Sequence, residues 1–317
     1  MASTDYADLR RQMTDQGLFH GRPITAFASA AIMVLLGAAG VWLAVRGFPY
    51  LGGLVFGVVS TQMALIGHDL GHGQFGRGKS WTWLARVGAG NLGLGVSQSW
   101  WVDKHNRHHA SPNHEGKDPD LLQPFGDVAR PGGTWKHRLG VAVYLPFQAI
   151  NARISSLKFI FREKPSGWQV ELAVMAVHFA IYAFLLSFLG LLPALLFVVT
   201  HQAMFGIYNS LIFATNHKGM PIFGPDETPD FMTIQVATSR NVMGSPIVDW
   251  VMGGLNYQIE HHLFPTMPRH RLKQANAAVR AYCRERGYDY TEENVRESYR
   301  DVFKALGLFK PAQRAEA

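Results

Sequence analysis

The sequence predicts an all-α integral membrane protein with four transmembrane helices in two hairpins and a cytoplasmic helical cap that carries clustered histidines. Three observations point there. Hydrophobic residues make up 48% of the 317 and charged residues only 17%, below the usual quarter. Four stretches contain no Asp, Glu, Lys or Arg: residues 24–45, 48–66, 172–190 and 191–215. Each is long enough to cross roughly 30 Å of hydrocarbon. Finally, 29 of the 30 Lys and Arg residues lie outside the two short joints between paired stretches.

Residues 1–23 form an N-terminal segment with Asp5, Asp8 and Asp15 and no early apolar core, unlike a secretory signal. The first two stretches are joined through Arg46 and Gly47, and the last two meet around Gly190 to Pro193. Joints this short require tight helical hairpins, and both hairpins then open toward one side. Cytoplasmic loops accumulate Lys and Arg, so that side, with both termini and the central loop, is expected to be cytoplasmic, in a bacterial plasma membrane. Two weaker apolar patches, residues 84–101 and 139–151, are broken by Gly, Asn, Gln and Pro and read as interfacial or re-entrant helices. Residues 24–270 are expected to form the membrane domain. The tail, residues 271–317, mixes charged and apolar residues at helical spacing and reads as part of the cap.

Several classes fall away. Cys283 is the single cysteine, which excludes an internal disulfide and a Cys-based zinc site. The net charge of +7 is scattered beside apolar runs without a basic stripe or stacking motif, so no nucleic-acid partner is expected. GAGNLG (Gly88–Gly93) fits a dinucleotide fingerprint but lacks the strand–helix context that gives it meaning.

The histidines carry the chemistry. His68 and His72 lie in HDLGH at the end of the second stretch, and His105, His108 and His109 in HNRHH of the central loop. His217 leaves the fourth stretch in ATNHKG, and His261 and His262 follow in NYQIEHH. All eight fall on the expected cytoplasmic side. Offsets of i, i+3 and i+4 place side chains on one helix face, and Gln258 shares that spacing with His261 and His262. Imidazole suits iron, copper, zinc and nickel. A zinc ion takes about three or four protein ligands, so eight histidines imply two metals. Soluble di-iron proteins use Glu-x-x-His, which is absent here; this centre would be nitrogen-rich.

Other histidines read differently. His201 precedes His217 by sixteen residues, about 24 Å along a helix at 1.5 Å per residue, and is expected to be buried and hydrogen-bonded. His178 reads as a core residue, with lining a tunnel as the alternative. The Pro112-Asn113 turn should take His114 off the ligand face, while His20, His137 and His270 read as surface residues.

These motifs resemble the membrane fatty acyl desaturases, whose three histidine boxes look like HDLGH, HNRHH and QIEHH here. PNHEGKDPDLL, FATNHKGMP and GGLNYQIEHHLFP are similar to the boxes' usual surroundings, and the resemblance runs from about residue 24 to 270. It implies a non-haem centre of two Fe ions, O2 as co-substrate, and a cis double bond made in an acyl chain carried on a lipid or CoA. It also implies that His68, His72, His105, His108, His109, His217, His261 and His262 are direct ligands. Gln258 stands where many relatives have histidine, as in the acyl-lipid and front-end branch. It and Asn216 are candidates for weak ligation or for orienting a water. Asp69, Asp103 and Glu260 are candidates to accept the outer N–H of a metal-bound imidazole, with solvent-facing roles as the alternative.

The two electrons that desaturation needs must come from a donor. PGG at residues 131–133 is similar to a cytochrome b5 haem box, but Arg130 replaces the axial histidine, and the chain departs from relatives with a fused b5 domain. A separate ferredoxin, or cytochrome b5 with its reductase, is expected to dock on the basic surface, beside membrane lipids. Competing readings are a hydroxylase, ketolase or alkane oxygenase with the same metals, and an intramembrane zinc protease in which HDLGH mimics HExxH. A metal transporter would place ionisable residues inside the spans, where only His178 and His201 lie.

Overall fold

A computed structural model describes residues 4–75, 80–121 and 135–308 of the chain. The described chain is mainly helical, with turns between the helices and two three-residue strands. In order it runs α1 (Thr4–Asp15), α2 (Pro23–Val45), α3 (Pro49–Gly71), α4 (Ser80–Val87), a π-helical turn (Gly88–Leu92), α5 (Gln98–Ala110), α6 (Trp135–Glu163), α7 (Trp168–Leu186) and α8 (Leu191–His217). There follow α9 (Phe231–Ala237), β1 (Arg240–Val242), α10 (Pro246–Val251), α11 (Gln258–Leu263), α12 (Arg269–Arg286), β2 (Thr291–Glu293) and α13 (Val295–Ala305). The PGG motif, with Arg130, and the side chain of His137 lie outside the described residues.

Among the described residues, four helices are long and apolar enough to cross a membrane: α2, α3, α7 and α8. Pro23 and Pro49 open α2 and α3, where proline's missing N–H loses no helical hydrogen bond. α3 outlasts the expected second stretch by five residues because HDLG continues the helix, with His72 as its C-cap. α7 begins four residues before the expected stretch and takes Glu171 into its first turn. Apolar side chains such as Leu35, Phe184 and Leu191 stay exposed on these helices, as on a surface that meets a membrane or a partner. α6 is longer than the interfacial patch expected within it, and an exposed stripe of Leu139, Val143, Phe147, Ile150 and Ile154 follows one of its faces.

The described chain divides into two compact units. One, the bundle unit, draws on His20–Lys104 and Leu145–Ser210. Inside it, Met33, Ile66, Leu70 and Ala89 form one apolar cluster, and Leu94, Ala149 and Phe205 another. A polar node joins its helices. His201 contacts Ser60 Oγ through Nε2 at 3.0 Å and Tyr182 Oη through Nδ1 at 2.8 Å. Arg153 donates to Leu94 O at 3.0 Å and to Gln202 Oε1 at 2.5 Å. His178 Nδ1 lies 2.7 Å from Leu92 O.

The other, the histidine unit, draws on Met1–Phe19, His105–Tyr144 and Leu211–Ala317. Its core packs Leu9 and Met13 of α1 with Met232, Val236, Ile259, Leu263, Phe264, Leu272, Val279 and Cys283. Cys283 is fully buried there, and burial pushes its thiol up to about 12. The charged face of α12 stays outside, which is the amphipathic pattern read from the tail. A short parallel pair, β1 with β2, aligns Arg240 with Thr291 and Val242 with Glu293. Arg240, itself 1% exposed, pairs with Glu293 at 3.2 Å. Side-chain caps start the short helices: Asp230 accepts from Met232 N and Thr233 N for α9, and Ser245 from Val248 N for α10. Such caps satisfy amides that the first turn leaves over.

Candidate metal centre

Within the histidine unit, HNRHH forms the last turns of α5, His217 ends α8, and QIEHH makes up most of the short α11. Helical geometry puts His105, His108 and His109 on one face of α5, as their spacing predicted. Ligand nitrogens of His108, His217 and His262 lie within 4.8 Å of one another, and all three side chains are buried.

Each member of this trio has Nδ1 committed elsewhere. His108 Nδ1 is 3.0 Å from both oxygens of Asp118. His217 Nδ1 is 2.9 Å from the Thr238 carbonyl, and His262 Nδ1 is 2.8 Å from Gln235 Oε1. These three partners are acceptors, so the N–H sits on Nδ1 and the Nε2 lone pairs remain. Those lone pairs face inward: His108 Nε2 and His217 Nε2 are 3.3 Å apart, and His262 Nε2 is buried with no hydrogen-bond partner. Burial, followed by the neighbouring His109, His217, His108 and His261, holds His262 well below the ordinary imidazole range. It is therefore neutral, with its lone pair on Nε2. Three inward lone pairs repel unless a cation lies between them, and an outer N–H given to a carbonyl or carboxylate is how proteins orient metal-bound histidine. The residues fit a bound metal ion.

His105, His109 and His261 adjoin the trio. His105 and His109 bring Nε2 atoms within 3.1 Å, and the His109 ring stacks on His262 at 4.2 Å and meets His261 at 4.8 Å. In the bundle unit, His68 and His72 have ring centroids 4.6 Å apart, and both rings pack edge-on against Trp101.

The outer candidates separate. Asp69 Oδ1 is 3.3 Å from His68 Nδ1, in position to accept from it. Asp103 is exposed on α5, the solvent-facing alternative. Glu260 is fully buried but accepts from Asn241 Nδ2 at 2.7 Å and Tyr290 Oη at 2.8 Å, with Asn276 Nδ2 at 3.4 Å, so it ties α11 to β1 and α12. Burial raises its carboxyl to about 6. Asn216 Nδ2 donates to Gln258 Oε1 at 3.0 Å, leaving Gln258 Nε2 3.0 Å from His217 Nε2. Turning both amides over would offer an oxygen at that position instead.

His114 is buried away from the cluster, with Nδ1 2.8 Å from Glu115 O and Nε2 2.9 Å from Glu227 O. Both His20 and His270 are exposed. His108, Asp118 and Asp120 could also be counted as a cation group. A cation there would have to displace the Nδ1 proton that aims His108, so we read Asp118 as the acceptor. An apolar cleft in the bundle unit, lined by Val41, Val45, Phe56, Tyr182, Leu186 and Phe197 among others, has no histidine, cysteine or carboxylate in its lining.

Three partners escaped the spacing rules: Asp118, Gln235 and the Thr238 carbonyl. Gln235 is fully buried, and its Nε2 also donates to His109 O at 2.9 Å, so one amide side chain binds α5 to α11. Only Asp118 left a trace, as one of the acids following HNRHH; Asn113, with φ 50°, bends the chain so that its own N–H and that of Asp120 reach this carboxylate at 2.8 Å.

The chain matches the family model for fatty acid desaturases over residues 46–294. It is similar to the Delta(8)-fatty-acid desaturase of Euglena gracilis, 28% identical over 99% of this chain and 82% of that protein. Similarity extends to the Delta(6)-fatty-acid desaturase fat-3 of Caenorhabditis elegans, 28% identical over 93% of this chain and 72% of that protein. Fatty acid desaturase 3 of Bos taurus is 29% identical over 95% of this chain and 72% of its own length.

Proposed function

The chain belongs to the fatty acid desaturase family, and from that premise we propose that it is an O2-dependent di-iron desaturase introducing a cis double bond into a lipid- or CoA-linked acyl chain. The observation that carries the reading is the trio of His108, His217 and His262, each oriented through Nδ1 with Nε2 turned inward. Together with the three histidine motifs, this supports a proposed ligand set of His68, His72, His105, His108, His109, His217, His261 and His262. Gln258 and Asn216 are held in reserve as oxygen donors. When bound, two irons would supply the redox chemistry that lets O2 take two hydrogens from an unactivated chain and, with two electrons and two protons, leave as two waters.

The protein's part is orientation. Asp118, Gln235 and Thr238 hold the imidazoles in the tautomer that presents a lone pair, and burial keeps His262 neutral. Four apolar spans keep the acyl chain's surroundings dry, while the charge asymmetry favours a cytoplasmic centre in a bacterial plasma membrane. Electrons come from a separate ferredoxin or cytochrome b5 with its reductase. Arg107 and Lys117 are exposed near the second motif, and a basic surface steers an acidic donor. Reversing those two charges should raise the apparent KM for donor at low salt and leave the rate at saturating donor unchanged.

The test is expression in a host with saturated lipids, followed by mass spectrometry that locates any new double bond. Relatives named for Delta(5), Delta(6) and Delta(8) positions make bonds counted from the carboxyl end the first to look for. An alkene without added oxygen supports the proposal. A hydroxylated product would move the chain to the oxygenase reading, and one zinc per chain to the protease reading.

A further inference from the structure

One buried acid takes no part in the histidine centre. Glu171, in the first turn of the apolar helix α7, is 1% exposed. An ionisable group within a membrane span is costly and usually marks a function. Its partners, all in the bundle unit, come from the π-helical turn and the start of α5. Glu171 Oε2 accepts from Ser97 Oγ at 2.5 Å, from Asn91 Nδ2 at 3.1 Å and from Ser99 N at 3.4 Å, and Oε1 accepts from Ser99 Oγ. Ser97 Oγ in turn accepts from Trp100 N at 3.1 Å, the side-chain cap of α5. Asn91 Oδ1 accepts from Gln98 N at 3.3 Å. A carboxylate therefore sits against the positive N-terminal end of α5 and organises its first turn.

That turn reaches the first histidine motif. Gln98 Nε2 donates to the carbonyl of Gly67, next to His68, at 3.2 Å. One turn on, Trp101 packs against His68 at 5.4 Å and His72 at 5.9 Å. A Cβ at Gly71 would lie 2.3 Å from the Trp101 ring, and one at Gly90 would lie 2.6 Å from Gln98 Oε1. GAGNLG thus gives Gln98 room at Gly90 and supplies Asn91 to Glu171. The same helix continues to His105, His108 and His109.

We propose that Glu171 is a positioning residue for the first histidine motif: by fixing the first turn of α5 it sets the packing of Trp101 on His68 and His72. The proposal rests on the metal-centre reading above. Its test is to purify full-length wild-type, Glu171→Gln and Glu171→Ala proteins in detergent. Bound iron and cobalt(II) absorption are then measured, together with hydrogen exchange of the amides from Gln98 to Trp101. Alanine should weaken metal binding by about tenfold, the lower end of the range for groups that orient ligands. It should also shift the cobalt spectrum and speed exchange in that turn. Glutamine, which keeps one acceptor oxygen, should fall between. If Glu171→Ala cannot be purified as a monodisperse species, Glu171→Gln and Ser99→Ala decide on the same readouts. Wild-type affinity, spectrum and exchange in the variants would overturn the proposal. A wild-type chain that takes up no metal would instead overturn the proposed function.

Discussion

His201 and His262 are both buried histidines, each nearly sealed from solvent, and they behave as opposites. In the bundle unit, Tyr182 and Gln202 lie within hydrogen-bond reach of His201 Nδ1, and Ser60 within reach of Nε2. Every polar atom of that ring is matched within the protein, so it joins helices and needs nothing more. In the histidine unit, His262 satisfies Nδ1 on Gln235 and leaves Nε2 buried without a partner, beside His108 and His217, whose Nε2 atoms face each other at 3.3 Å. Burial alone does not separate a core histidine from a ligand. In the proposed centre the unmatched nitrogen draws that distinction, and so does a neighbourhood in which lone pairs converge.

The contrast can be broken in graded ways. The largest effect should come from His108→Ala or His262→Ala. Each should lower metal stoichiometry and cut alkene formation by more than about a hundredfold, beyond what orienting partners account for; mass spectrometry of host lipids reads it, and an active variant would end the ligand assignment. Next come Asp118→Asn and Gln235→Ala, which alter the Nδ1 partner and leave the Nε2 atoms in place; Gln235→Ala also loses the bond to His109 O. A 10- to 100-fold weaker metal affinity is expected, measured by competition with a chelator, and unchanged affinity would show that orientation through Nδ1 is idle. His201→Ala should do the reverse: metal content stays at the wild-type level while stability in detergent drops by about 1–3 kcal/mol, because buried hydroxyls lose their partner. Loss of metal in that variant would erase the distinction drawn here. His270→Ala, at an exposed position, should stay within about 0.5 kcal/mol of wild type and keep full metal loading.

Much of this was legible because it is local. Charge-free stretches located the four spans, and i, i+3, i+4 spacing put His105, His108 and His109 on one helical face. The start of α7 was misjudged for a physical reason: excluding every acid set the boundary after Glu171, whereas hydroxyl and amide donors let that carboxylate enter the helix. Gln235 and Thr238 were hidden because their partners are distant in sequence; Gln235 meets His262 only after the turns between α9 and α11 are made, and Asp118 showed only as one of several acids after HNRHH. Glu260 is buried rather than solvent-facing but spends its oxygens on Asn241, Tyr290 and Asn276, which no spacing rule separates from an imidazole partner. The β1–β2 pair was equally invisible, since three residues carry no readable alternation.

The lone thiol has a practical use. Cys283 is walled into the core of the histidine unit and held protonated at ordinary pH, and thiol reagents attack through the thiolate. The unmodified protein should therefore be silent toward a membrane-impermeant maleimide in intact cells. A reporter cysteine placed at exposed Lys273, and another at Arg46 between the first two spans, would then reveal which side of the bilayer each occupies without first stripping the native residue.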